Sequence, residues 1–464
     1  MDDFPKTAPA GEPSRHFLTR DECQKLLNTC VSLSSGGGDV HLSIESAWIG
    51  AVQWARSRAF ASRDVHRTRV WITRTIRGAV ATASTNRLDD QGLQDLVRMA
   101  ERELVYSLEQ FGKGYTPTID PILNPLLWSD TTYTFDGERR GAAVRALLEP
   151  AEAAGVLSSG ELRVTAKGNA ALNTQGMFRY YPTTSVSIST AARNPRAGAS
   201  GWAGVNDFDI HRVDIPALAS RALTKCQTSG NPVALEPGHY TAILESQAVA
   251  DLFARLLGHS AMYRNFAEQP AGPFGVSPGR TRINQRVLDP RMTISHDPMD
   301  PIGGFLPFHP RTGVPYYPVN WVEHGTLRNL AYPKYYGLQR LHLDTPLENS
   351  ASWSMAGGTT SVDEMIASTS RGILVTRFSR VEVLDSRSFT CTGLTRDGTW
   401  LIEQGKITKA IKNFRFVESP LFVFNKLEQI GVPQRVFSPD DDQAWVAPPA
   451  KVADFNFTQI ADAV

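Results

Sequence analysis

The sequence predicts an α+β protein, with an N-terminal domain of antiparallel strands and helices and a C-terminal β-rich domain that forms a barrel-like mixed sheet with few helices. Val40, Leu42 and Ile44 alternate with polar residues, which is typical of a half-buried strand. Apolar residues at helical spacing occur in isolated stretches between strand-like segments. The second half is the richer in strand-like segments, and it contains two x-Gly pairs between apolar flanks, the pattern of a tight hairpin.

Composition limits the class of protein. The 464 residues are 41% hydrophobic and 20% charged, which indicates a globular protein of two or three domains. The 48 basic and 47 acidic residues give a formal charge of +1, which excludes a dedicated nucleic-acid or anionic-membrane binder. We recognise neither a signal peptide nor an apolar membrane span, and the four cysteines form no C-x-x-C pair. We therefore expect a cytoplasmic protein with reduced thiols and without nucleic-acid or membrane partners.

The N-terminal half is expected to consist of a flexible tail, residues 1–17, and an α/β domain, residues 18–230. Helices are predicted at residues 19–30, 89–111, 137–154 and 214–226. Strands are predicted at residues 40–44, 52–56, 65–75, 78–84, 161–166 and 185–192. An extended connection is expected at residues 113–135, a Gly/Ser/Asn loop at residues 194–207, and the domain boundary at residues 229–232.

The C-terminal domain, residues 231–464, is expected to contain few helices. One is predicted over residues 248–257, where apolar residues pair at helical spacing until Gly258. A second helix is predicted to begin at Ser361, or at the threonine before it, and to end at Gly372.

Turn signals complete the C-terminal pattern. The two x-Gly pairs predict hairpins at residues 322–327 and 402–407. The acidic run at residues 440–442 is expected to be a solvated loop.

The histidines do not form a metal motif. None of them is followed by Glu, and no two share a predicted helix at ligand spacing, so the helical zinc-protease motif is missing. Each is more simply explained as a surface or hydrogen-bonded side chain. They lie singly at His16, His41, His66, His211, His239, His259, His296, His309, His324 and His342.

Other local candidates for catalysis are also weak. His296 and Asp297 could form an acid/base pair, but neighbours on a strand point to opposite faces, and the following Asp-Pro and Gly-Gly dipeptides favour a turn. Cys391 lacks a local base that would form a thiolate, which favours a small buried side chain. Neither Gly36–Gly38 nor the Gly357-Gly358 pair has the context of a phosphate-binding loop.

An ordered set of motifs carries a resemblance. Residues 235–252 read Leu-Glu-Pro-Gly-His-Tyr-Thr-Ala-Ile-Leu-Glu-Ser-Gln-Ala-Val-Ala-Asp-Leu, and further motifs follow at residues 288–304, 308–315, 322–332, 357–376 and 398–407. In this order they resemble the C-terminal domain of the TldD/PmbA family, also called modulators of DNA gyrase. With the strands and helix of the first half, the resemblance covers about residues 18–460. Each motif is weak alone, and the ordered set is fairly specific.

The resemblance implies a heterodimeric cytosolic metalloprotease. In that family a TldD-like subunit carries His-Glu-x-x-x-His and a late Cys ligand, and a PmbA/TldE-like subunit lacks them. The histidine positions of the motif correspond here to Glu245 and Ala250 and the general-base position to Ser246, and no Cys follows Cys391. The resemblance therefore implies the PmbA/TldE-like subunit, with no catalytic, cofactor-binding or metal-binding residues of its own and with zinc on the partner.

The expected function follows from this resemblance. The chain would be the subunit without metal in a zinc metallopeptidase that cleaves unfolded or modified precursor peptides, and it would form the chamber for an extended peptide with a TldD-like partner. Departures from the family pattern at residues 246–247, 309–313 and 386–391 indicate a divergent member with a specialised role. Two alternatives stay open: a non-proteolytic binding or regulatory protein, and an autonomous hydrolase that uses Cys391 or a histidine.

Overall fold

The computed structural model of the protein describes residues 16–106, 121–258, 260–269, 272–343, 345–440 and 443–461. The N-terminal half contains α1 (Arg20–Leu33), β1 (Asp39–Ala55), β2 (Arg58–Ile76), β3 (Ala79–Thr85), α2 (Asp90–Leu104), α3 (Asp130–Tyr133), α4 (Gly137–Ala153), β4 (Leu157–Asn173), β5 (Phe178–Asn194), β6 (Ala199–Asp207) and α5 (Ile215–Thr228).

The C-terminal half contains further helices and many short strands. In chain order they are β7 (Gly238–Leu244), α6 (Ser246–Leu257), α7 (Arg264–Ala267), β8 (Gly275–Ser277), β9 (Arg280–Thr281), β10 (Ile294–His296), β11 (Val319–Glu323), β12 (Thr326–Leu327), α8 (Lys334–Tyr336), β13 (Trp353–Met355), α9 (Val362–Ala367), β14 (Arg371–Asp385), β15 (Thr390–Glu403), β16 (Lys406–Ala410), β17 (Asn413–Glu418), α10 (Pro420–Val423), β18 (Leu427–Ile430), β19 (Gln434–Val436), β20 (Trp445–Ala447) and β21 (Ala450–Ala461).

The N-terminal half is an antiparallel sheet with helices on one face. Within the described ranges its strand order is β3-β2-β1-β4-β5-β6. Trp48, Val164 and Ile188 belong to the apolar core shared with α4 and α5, and Leu42 and Ile72 to the core shared with α1 and α2. The alternating pattern places polar residues on the opposite face of the sheet, which these helices do not cover.

Local signals account for most of these elements. Thr19 caps α1 in a capping box with Glu22, and Asp89 and Asp214 accept hydrogen bonds as the N-caps of α2 and α5. The predicted strands are real but longer, because residues 40–44 and 52–56 belong to the same strand, β1.

The predicted Gly/Ser/Asn loop at residues 194–207 is wrong, because most of it is the edge strand β6. The structure explains the misleading composition. A Cβ atom added to Gly201 would lie 2.2 Å from the carbonyl oxygen of Ala222 in α5. The small residues therefore let the helix pack closely on the strand.

The predicted helix ending at Gly372 is also wrong in its length. α9 ends at Ala367, where the hydroxyl groups of Ser368 and Thr369 donate to the carbonyl oxygen of Met365, and Gly372 lies in β14. These hydroxyls satisfy the Met365 carbonyl oxygen, which in a longer helix would accept a backbone N–H group of the next turn.

Some predictions concern residues outside the described ranges. Within the predicted extended connection, residues 121–129 are irregular and α3 follows, capped by Ser129. The predicted extension of the second helix to residue 111 is wrong, because α2 ends at Leu104 and residues 105–106 form a turn. Gly112, most of the tail and the acidic residues Asp441 and Asp442 lie outside the described residues. The domain boundary at residues 229–232 stays a prediction.

The C-terminal half contains a closed barrel, as predicted for its barrel-like mixed sheet. The strands β14, β7, β21, β17 and β15 follow one another, and pairing of β15 with β14 closes the ring. A second mixed sheet in the described part of the chain has the order β12-β11-β10-β13-β20-β19. α6 packs against both β14 and β20, so its apolar face joins the barrel to the second sheet.

Both predicted hairpin turns are confirmed. His324-Gly325 joins β11 to β12, and Gln404-Gly405 joins β15 to β16. All four residues have positive φ angles of 47–74°, as the two central residues of a tight antiparallel hairpin require.

A buried ion pair of the barrel also contacts the N-terminal sheet. In the barrel, the Arg377 guanidinium donates to the Asp397 carboxylate, with Nε and Nη2 lying 2.9 and 2.8 Å from the same oxygen. The Asp397 side chain is 1% exposed. Arg377 also stacks on Trp202 of β6, with its guanidinium carbon 4.5 Å from the ring centroid. One arginine thus binds Oδ2 of a buried carboxylate in the barrel, whose Oδ1 has no hydrogen-bond partner among the described residues, and covers an indole of the N-terminal sheet.

Replacing Arg377 should destabilise the protein strongly. In Arg377→Met the aliphatic stem stays, but the buried Asp397 carboxylate loses its main partner. We expect the free energy of unfolding to fall by about 3 kcal/mol, measured by urea denaturation with tryptophan fluorescence. The control Arg98→Met removes the exposed Arg98–Asp95 pair and should cost less than about 1 kcal/mol. Equal losses in both variants would contradict the special role of Arg377.

Candidate functional site

By the sequence resemblance, the start of α6 corresponds to the metal motif of TldD-like chains. Glu245 is the N-cap residue, yet its side chain makes no capping hydrogen bond. Its carboxylate instead binds the Lys225 ammonium of α5, with Nζ and Oε2 2.6 Å apart. The first motif position is therefore occupied by an ion pair between the two halves of the chain.

The other two motif positions are closed. Ala250 is fully buried in the apolar core of the C-terminal half. Ser246 is 6% exposed, and its Oγ atom has no hydrogen-bond partner among the described residues. A zinc site needs three or four nitrogen, sulfur or carboxylate ligands around one point. The side chains at these positions do not fit zinc, because one is a methyl group, one a hydroxyl and one a carboxylate already paired with an ammonium.

No alternative metal cluster is found elsewhere in the described ranges, where no three His, Cys, Asp or Glu side chains come together in a metal-binding arrangement. His259 lies outside the described residues.

Side chains that follow the motif positions hold a neighbouring strap of chain. Gln247 makes two hydrogen bonds to the backbone of Phe437, through its Nε2 at 3.1 Å and its Oε1 at 3.0 Å. The same Nε2 donates to Asp251, which also accepts the backbone N–H of Phe378. Burial raises the pKa of Asp251 to about 6. The first turn of α6 therefore positions residues 434–440, which we call the strap.

The strap also contacts the N-terminal sheet. Asn206 of β6 and the backbone of Ser438 exchange two hydrogen bonds, of 2.9 and 3.1 Å. Phe437 meets the Trp202 indole edge-on. α6, the strap and β6 thus form one connected structure across the two halves.

Beside the strap lies a polar cleft between the two halves. The N-terminal sheet contributes Lys167, Asn169 and Asp207, and the C-terminal half contributes Arg435 and Gln443. Amides, hydroxyls and charges of both signs line this cleft, together with the apolar side chains of Leu127, Phe305 and Leu306. Sequence reasoning missed these residues, because strands that are distant along the chain bring them together.

His296 and Asp297 do not form an acid/base pair. The His296 ring bonds the Ser350 hydroxyl and the carbonyl oxygen of Tyr317, each at 3.1 Å, whereas Asp297 accepts the backbone N–H of Met299 in the predicted turn. Burial lowers the pKa of His296 to about 4. The geometry is that of a neutral core histidine.

Cys391 lies in the barrel core and is fully buried. Its thiol faces the carbonyl oxygen of Phe389 at 3.6 Å, and burial raises its pKa to about 11. A protonated, inaccessible thiol is a poor nucleophile.

The divergent segment at residues 309–313 has a structural role. The Arg311 guanidinium lies 4.0 Å from the centroid of Trp71 on the N-terminal sheet, and its carbonyl oxygen bonds the His41 ring. The segment therefore contributes a contact between the two halves.

Comparisons with known proteins agree with this fold. Residues 237–459 match the family described as PmbA/TldA metallopeptidase C-terminal domain. Similar solved structures include proteins named as modulators of DNA gyrase from Bacteroides thetaiotaomicron (16% identity, TM-score 0.77, covering 95% of this chain and 100% of that one) and Thermotoga maritima (16%, 0.75, 94% and 99%). Another is TldE from Thermococcus kodakarensis (13%, 0.76, 94% and 99%). At these identities the likeness shows the fold.

Two further comparisons are brief. No curated protein sequence matches the chain. In the described part of the molecule, no helix is long and apolar enough to cross a membrane.

The buried His296 should make stability depend on pH. Its folded pKa of about 4 lies below the ordinary value, so the unfolded chain takes up a proton first as the pH falls, and stability present above about pH 6.5 is lost towards pH 4. Between pH 7.5 and 5 the wild type should lose about 2 kcal/mol more than His296→Gln, measured by urea denaturation. The control His324→Asn, in an exposed hairpin turn, should behave as the wild type. An identical pH profile for His296→Gln would contradict the buried neutral state.

The cysteines should be unreactive in the folded protein. All four are buried and unpaired, and burial raises the pKa of Cys23 to about 12 and that of Cys30 to about 11. With a disulfide reagent at pH 8, we expect no fast reaction of the native protein and four reactive thiols in guanidinium chloride. The control Ser32→Cys, at an exposed position of α1, should react at once. A fast native thiol that disappears in Cys391→Ala would support the hydrolase alternative.

Proposed function

Because its C-terminal domain makes this chain a member of the PmbA/TldD family, we propose that it is the PmbA/TldE-like subunit of a two-chain zinc metallopeptidase. Its partner is a TldD-like chain that carries His-Glu-x-x-x-His and binds the zinc. The complex cleaves unfolded or modified precursor peptides, and this chain completes the chamber that holds the substrate. TldE from Thermococcus kodakarensis has the same fold, which supports the assignment.

The observation that carries the proposal is the state of the three motif positions. Glu245 is bound to Lys225, Ser246 is buried and Ala250 lies in the core. With this arrangement the chain cannot activate a water molecule on zinc at α6. Catalysis must therefore come from the partner, and this chain contributes binding and enclosure.

The substrate role rests on the cleft beside the strap. Its amides, hydroxyls and charges suit an extended main chain, which hydrogen-bonds without strict sequence preference. The four unpaired, buried cysteines suit a reducing compartment, and we place the complex in the cytoplasm.

The test is reconstitution with a TldD-like chain from the same genome. The two chains are purified separately, and unfolded, fluorescently labelled casein is the probe. We expect cleavage only in the mixture, and stoichiometric zinc only in the partner, measured by metal analysis. The chain's Glu245→Gln variant should retain complex activity within about threefold, since the carboxylate is not a ligand, whereas changing a motif histidine of the partner should abolish it.

The remaining outcomes decide against the proposal. Cleavage and stoichiometric zinc in this chain alone would establish an autonomous enzyme. Stable association with the partner but no cleavage in any mixture would favour the non-proteolytic binding or regulatory protein.

A further inference from the structure

A shallow groove crosses the polar face of the N-terminal sheet along β1. Its floor contains Ala47 and Ile49, and Ala51 follows on the same face of β1, which points away from the helices because these residues alternate with the buried Trp48. Long neighbouring side chains, Glu45 among them, leave the two alanines only 1% exposed. The small floor residues lie lower than the long side chains of the neighbouring strands. We call this surface the β1 groove.

Strand register places cations on both sides of the floor. Directly opposed residues of antiparallel strands share a face, so each floor alanine has one neighbour from β2 and one from β4. The flanking pairs are Arg67 and Lys167 at Ala47, and Arg63 and Arg163 at Ala51. The groove therefore has two pairs of facing cations, four residues apart along β1.

Half of these cations lack an acidic partner. Lys167 lies 3.7 Å from Glu45, and Arg163 lies 3.1 Å from Glu161. The two β2 arginines form no ion pair with any described residue. They are also exposed, because β3 covers only residues 70–76 of β2 and no other described strand pairs with the outer side of the remaining residues.

The groove leads into the cleft described above. Thr165 and Lys167 line both, and Pro439 and Asp440 at the end of the strap border the groove. A chain lying in the groove would thus continue towards the strap and the first turn of α6.

We propose that the β1 groove binds an extended peptide segment with carboxylate side chains four residues apart. Extended chain rises about 3.4 Å per residue, so residues i and i+4 of a bound segment are separated by about 14 Å, the same span as Ala47 to Ala51. Side chains i and i+4 also point to the same side, where each meets one cation of a wall. The groove selects acidic stretches, and the cleft receives the main chain that follows.

That the ligand is a peptide rests on the proposed function, but its binding can be measured without catalysis. The probe is a fluorescein-labelled twelve-residue Gly/Ser peptide that contains Glu-Ser-Ser-Ser-Glu. Its affinity for the whole chain is measured by fluorescence anisotropy at about 50 mM salt, where surface charges are weakly screened. We expect saturable binding that is at least fivefold weaker when both Glu are replaced by Gln, and weaker for Glu-Ser-Ser-Glu, which directs its carboxylates to opposite sides.

Variants of the chain locate the site. Arg63→Gln combined with Arg67→Gln should weaken binding of the Glu probe about tenfold. Arg145→Gln is the matched control, because Arg145 is an exposed residue of α4 on the other side of the sheet. Equal affinity of the Glu and Gln peptides, equal affinity of the two protein variants, or no binding would overturn the inference. In the last case the β2 arginines serve only to keep an open sheet edge soluble.

The peptide-binding experiment and the reconstitution test separate claims, so one can fail without the other. Casein cleavage by the mixture without binding of the Glu probe would leave the proposed function intact and remove the β1 groove as a substrate site. Binding of the probe without cleavage in any mixture would retain the groove as an acidic-peptide site and remove the peptidase assignment.

Discussion

One guanidinium, that of Arg377, belongs both to the barrel and to its contact with the N-terminal sheet. Arg377 binds the buried Asp397 and stacks on Trp202 at the same time, and Trp202 in turn meets the strap at Phe437. Removing the cation from a buried carboxylate strongly lowers the free energy of unfolding. Exposure of the Trp202 ring to solvent brings no compensating gain in stability. The Arg377–Trp202 contact, the Asn206–Ser438 hydrogen bonds and the Lys225–Glu245 ion pair together hold the two halves, and with them the cleft, in position.

α6 has a corresponding role within the C-terminal half. Its apolar face fills the space between the barrel and the second sheet, and the polar side chains of its first turn hold the strap. The helix therefore positions the strap. Its residues Gln247 and Asp251 hold backbone, whereas the metal-motif positions beside them are buried or paired.

Elements with a local cause could be predicted from the sequence. Thr19, Asp89 and Asp214 cap helices through their own side chains, and the His324-Gly325 turn requires left-handed backbone that its residues tolerate. β6 could not be predicted, since its glycines are explained by a helix that packs on it from later in the chain. The closing pair of the barrel and the length of β1 also depend on partners distant in sequence.

The candidate site likewise contains residues that the sequence predicts and contacts that it does not. The substitutions at Glu245, Ser246 and Ala250 are readable from the order of motifs, but the Lys225 partner is not. Cations four residues apart, Arg63 with Arg67 and Arg163 with Lys167, are visible in the sequence as same-face residues of strands. Only the register of β2, β1 and β4 shows that they face one another across small residues.

The Lys225–Glu245 pair restricts which side chain position 245 can hold. A histidine at position 245 would leave the ammonium of α5 without its carboxylate, and an imidazole at position 250 would have to displace fully buried core atoms. Point mutations at the motif positions therefore cannot create a metal centre unless α5 and the packing of the barrel change with them. The packing between the halves thus opposes a metal at the start of α6 independently of which three side chains stand there.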